Sequence, residues 1–144
     1  MILDDAAILS DKLQEYLIGS GIEWNCLDEA THDAAESEWR SIYGIAFKGR
    51  SRLRKGAKAE NECRQQSCMH FLIVPFSSNV EGISMDVLNQ SIPAYECRGT
   101  LVPLGGFRDA EFFVSPPDFE WTMVHTHEDH ALGGPYFIRR DWVT

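Results

Sequence analysis

Residues 69–76, Met-His-Phe-Leu-Ile-Val-Pro-Phe, are a short run of large apolar side chains. That pattern predicts a buried strand, with Pro75 near its end where a lost backbone donor is tolerated. Four more extended stretches follow in the second half of the chain, at 94–104, 110–115, 119–126 and 135–142. Gly105-Gly106 and Pro116-Pro117-Asp118 mark turns between them. Along 119–126, Phe119, Trp121, Met123 and His125 are expected on one strand face. Glu120, Thr122, Val124 and Thr126 are expected on the other.

The first half carries a different period. Ile8, Leu9, Leu13, Tyr16 and Leu17 recur at helical spacing and predict a helix over 4–18, with Asp4 and Asp5 at its start and Gly19 and Gly21 as its stop. Residues 22–26 read as a short strand or an extended connector. A second helix is expected over 33–47, capped by Thr31 or Asp33. Its apolar stripe is Ala35, Trp39, Ile42, Tyr43 and Ala46, and Glu36 can pair with Arg40. Short helices are expected at 57–67, behind a mobile basic loop, and at 84–91. Helices first and strands after predict a single α+β domain over 1–144, its N-terminal helices packed on one face of a mainly antiparallel sheet formed by the C-terminal half.

Apolar residues make up 44% of the 144-residue chain, enough for a packed core and too many for a disordered composition. No apolar run approaches the roughly 20 residues that cross a bilayer. The start, with its early acids and no basic stretch, does not read as a secretory signal. A cytoplasmic protein with no membrane contact is therefore expected, its cysteines reduced. The net charge of -9 excludes general nucleic-acid binding and suits a basic partner. The charge is uneven. Residues 48–64 hold seven of the 13 basic side chains (Lys48, Arg50, Arg52, Arg54, Lys55, Lys58 and Arg64), leaving six basic against 20 acidic residues elsewhere. This segment reads first as a solvated loop. Phosphate or nucleic-acid binding, or pairing with the acidic face of this or another copy, are the alternatives.

The chemistry-bearing stretch is 122–137, Thr-Met-Val-His-Thr-His-Glu-Asp-His-Ala-Leu-Gly-Gly-Pro-Tyr-Phe. His125 and His127, two apart on a strand, can share one ion. A tight loop can add Asp129 and His130. This donor set suits zinc or another divalent transition metal, and a bound ion would activate a water for hydrolysis. His125, His127, Asp129, His130, Gly133 and Gly134 resemble the metallo-β-lactamase signature, which implies a two-metal hydrolytic centre. That family draws further histidines and an aspartate from a long segment after the motif. Here 14 residues follow His130 and none is a histidine. The match to JAB1-type metalloproteases is weaker, because Glu128 stands where a proline is usual and Asp141 is misplaced. A mononuclear metal-dependent hydrolase is the enzyme reading that stays open. The other reading is a strand–turn–strand with no metal, which needs no cofactor.

The rest of the chain carries few chemical motifs. There is no phosphate-binding glycine loop and no nucleophile elbow. Cys63, Cys68 and His70 match no common zinc spacing and read as packing residues. Trp24, Trp39, Trp121 and Trp142 read as core or edge anchors.

The same tail carries a second resemblance. Trp121, Val124, Thr126, His127, Glu128, Gly134, Pro135, Tyr136 and Phe137 resemble the ending of small uncharacterised bacterial proteins of this length. Their pattern does not include His125 and His130, so this resemblance implies that the metal-like spacing is a coincidence. Small acidic proteins of this kind include immunity proteins, which neutralise bacterial toxins. The expected partner is then a basic cognate toxin, and the expected activity is inhibition by occlusion rather than catalysis. Glu128, Asp129, Asp118, Glu120 and Tyr136 are the expected contact residues.

Overall fold

The structure is a computed structural model describing residue 11 and residues 13–49, 53–76, 93–101, 111–125 and 135–143. Helix α1 covers 13–19 and buries Leu13 and Leu17. Gly21, at φ +69°, turns the chain out of it, and Ile22 N–H closes onto the Leu17 carbonyl at 2.8 Å. Residues 1–10, 12 and the helix expected at 84–91 lie outside the described residues.

Helix α2, Glu29–Gly49, starts four residues earlier than its apolar stripe predicts. The reason is Asp28, whose carboxylate accepts the Thr31 N–H at 2.7 Å and caps the first turn in place of Thr31 or Asp33. Hydrogen bonds from the Thr31 side chain and backbone hold the Asp28 carboxyl below its ordinary value. Helix α3 is Ala57–Gln65, close to its expected span.

Seven strands form one antiparallel sheet: β1 Glu23–Cys26, β2 Arg54–Lys55, β3 His70–Pro75, β4 Tyr95–Arg98, β5 Phe112–Ser115, β6 Trp121–His125 and β7 Tyr136–Arg139. Their order is β1-β4-β3-β5-β6-β7-β2. The chain is α+β, with its helices in the N-terminal half and most of its sheet in the C-terminal half.

The helices occupy both faces of the sheet, not one. Phe71, Ile73, Tyr95, Cys97, Phe112, Val114, Trp121, Met123 and Phe137 pack with Leu13 and Leu17 of α1 and Ala59 and Cys63 of α3. Leu72, Val74, Phe113, Val124, Tyr136 and Ile138 pack with Ala35, Trp39, Tyr43 and Phe47 of α2. The physical reason lies in β5 and β6, where every residue is buried. Consecutive residues point to opposite faces, so an uninterrupted apolar run such as Phe112-Phe113-Val114 needs cover on both. Among the described residues, no helix is long and apolar enough to cross a membrane.

Candidate functional site

His125 is the last residue of β6 and is 2% exposed. Cross-strand pairing sets it opposite Phe112, and the two rings stack with centroids 4.8 Å apart at 18°. Its side chain thus joins the sheet face that also carries Trp121 and Met123. His127, Glu128, Asp129 and His130 lie outside the described residues. Among the described residues, no three His, Cys, Asp or Glu side chains come together as a metal site would require.

The expected contact residues Asp118 and Glu120 are exposed and stand on the turn from β5 to β6. Several bonds hold this turn. Phe119 N–H donates to the Pro116 carbonyl at 2.9 Å, and Glu120 N–H donates to the Asp118 carboxylate at 3.1 Å. Arg140 N–H reaches the Glu120 carbonyl at 2.8 Å, and its guanidinium reaches the Asp118 carbonyl at 3.2 Å. From beneath, the buried Tyr43 hydroxyl donates to the Phe119 carbonyl. Burial pushes the Tyr43 phenol up, so it stays a donor. Phe119 adopts φ +57° and turns its ring inward against Phe113. It therefore belongs to the α2 face, whereas regular alternation predicts the face of Trp121. Tyr136 is 3% exposed with its ring against Phe47, a core position under α2 rather than a surface anchor.

Two further histidines, His32 and His70, are engaged. His32 Nε2 lies 2.8 Å from the Pro75 carbonyl and 3.3 Å from Glu36 Oε1, and Glu36 Oε2 lies 3.5 Å from Arg40. The hydrogen bond to Glu36 raises the His32 pKa. Burial opposes this, while the Pro75 carbonyl and the charges of Glu36 and Asp33 reinforce it. The signal was present, since residues 32, 36 and 40 share one helix face. His70 Nε2 lies 2.8 Å from Glu96 Oε2, with Arg98 3.8 Å from the same oxygen.

Burial holds three thiols, Cys63, Cys68 and Cys97, in the unreactive protonated form. Burial pushes Cys63 and Cys97 each up to about 12 and also raises Cys68, whose thiol donates to the His70 carbonyl at 3.1 Å. Within the basic segment, residues 53–64 are among those described. Arg54 and Lys55 are strand β2, paired with Phe137 and Tyr136 of β7, where a loop was expected. Comparison with protein-family models, curated proteins and solved structures finds no match to this chain.

Proposed function

We propose that this chain is an immunity-type binding protein that acts in the cytoplasm and neutralises a basic bacterial toxin by covering its active site. The observation that carries the reading is the Asp118–Glu120 turn, which presents two exposed carboxylates on a backbone held by Tyr43 and Arg140. Such pre-ordering lowers the entropy lost on binding. The net charge of -9 supplies the long-range attraction toward a basic cleft. Glu128 and Asp129 extend the acidic set in this proposal.

The test is co-expression with the product of the neighbouring gene as the candidate toxin. The wild-type chain should restore growth and form a stoichiometric complex. Asp118→Lys/Glu120→Lys should weaken the complex by about tenfold or more. An absence of both protection and complex would refute the reading.

The rival proposal is a mononuclear metal-dependent hydrolase using His125, His127, Asp129 and His130. Elemental analysis separates the two. Stoichiometric zinc or manganese that disappears in a folded His127→Ala/His130→Ala variant would favour the hydrolase.

A further inference from the structure

We propose that the cationic groove between β2 and the start of α3 is a second binding site, for a small phosphate-bearing anion. The groove has a volume of ≈ 490 Å³ and is lined by Leu53, Arg54, Lys55, Ala57 and Lys58. That volume falls within the roughly 300–1,000 Å³ of small-ligand sites. Among the described lining residues, Arg54, Lys55 and Lys58 are cations, in a chain whose net charge is -9.

The cations are set up differently from one another. Arg54 is oriented, its guanidinium 5.0 Å from the centroid of the Trp142 ring and 4.0 Å from Glu62. Lys55 and Lys58 are exposed, and among the described residues neither pairs with an acid. Two lysines that line one groove without a counter-charge gain from an anion bound between them. The backbone adds donors. Gly56 caps α3 with no side-chain hydrogen bond, so the first-turn N–H groups beside Ala57 and Lys58 are not covered by a capping side chain. Gly56 N–H itself donates to the Pro135 carbonyl at 2.9 Å, which fixes the start of α3 against β7. Leu53, Ala57 and the alkyl stems of the cations make most of the groove's exposed lining apolar, with the charged heads at its rim.

Size selects among phosphate ligands. Outside residues 48–64 the chain holds 20 acidic and six basic residues. A polynucleotide extends well beyond the groove and meets the field of this net-negative remainder, which repels it. A compact anion stays within about one Debye length, roughly 8 Å, of the three cations. The inference does not rest on toxin binding, which uses the turn between β5 and β6, so each can fail without the other.

The test titrates the full chain with inorganic phosphate, pyrophosphate, adenosine triphosphate and a single-stranded DNA oligonucleotide. Calorimetry and amide chemical shifts supply the readouts. Saturable binding of a small phosphate compound is expected, with shifts at Ala57 and Lys58. Affinity should drop about tenfold or more in Lys55→Glu/Lys58→Glu. If that variant does not fold by circular dichroism, Lys58→Gln carries the comparison and should bind several-fold more weakly. Equal affinity for phosphate and the nucleotide would assign recognition to the phosphate group alone, and tighter nucleotide binding would add the nucleoside; both support the site. No saturable binding at millimolar concentration, undiminished affinity in the folded variant, or tighter binding of the oligonucleotide would each overturn it.

Discussion

The Trp39 indole N–H donates to Thr122 Oγ1 at 2.8 Å, while its ring stacks on Phe113 and meets Phe47 and Phe76. Thr122→Val keeps the shape and removes the acceptor, leaving a buried donor unmet. Urea denaturation should show a loss of about 1–3 kcal/mol. In a Trp39→Phe background the same change should cost less, because the donor is already gone. His32 gives a pH prediction. Its pKa is raised in the fold from 6.5, chiefly by Glu36. The protonated ring is therefore held more tightly in the folded than in the unfolded chain. That stability is complete below the unfolded value and is lost as pH rises through the folded value. The stability gap between wild type and His32→Gln should be wider near about pH 5.5 than near about pH 8.5. An equal gap at both would show that the Glu36 contact contributes nothing.

The turn between β5 and β6 sets two effects against each other at Phe119. A left-handed backbone costs a non-glycine residue roughly 1–2 kcal/mol, whereas removing a buried phenylalanine side chain costs about 3–5 kcal/mol. Burial wins, so Phe119→Gly should destabilise the fold by about 2 kcal/mol despite relieving the backbone. Gly99 offers no such contest. Its φ is +141°, and an added Cβ would stand 3.1 Å from the Ile22 backbone. Gly99→Ala should lower the melting temperature, by the equivalent of about 1–3 kcal/mol. These elements also show what patterning conveys. The run at 69–76 predicts β3 because burial writes itself as continuous apolar residues, and the spaced apolar residues Trp121, Met123 and Val124 between turn signals predict β6. β2 was illegible: Arg54 and Lys55 have no strand signature, and their pairing is imposed by Phe137 and Tyr136. The start of α2 was missed because Asp28 lies outside the apolar stripe that marks the helix. At the candidate site, Asp118 and Glu120 were legible as surface acids. The sign of φ at Phe119 and the cover over Tyr136 depend on contacts far along the chain, with Tyr43 and Phe47.

At the scale of the whole molecule, charge is the quantity that acts at a distance. If the acidic surface steers a basic toxin, the association rate should fall by about an order of magnitude between low and physiological salt, while the dissociation rate changes little. Stopped-flow mixing at several ionic strengths measures both. A salt-independent association rate would remove steering from the mechanism. The sheet order has a further consequence, for the growing chain. Helix α2 leaves the ribosome with Trp39, Tyr43 and Phe47 already spaced along one side. The residues that cover them, Phe113, Phe119, Val124 and Tyr136, are added much later. β2 likewise waits for β7, which is translated last among the strands. The aromatic stripe of α2 therefore lacks its sheet cover through most of synthesis, and the described sheet closes only after translation has passed β7.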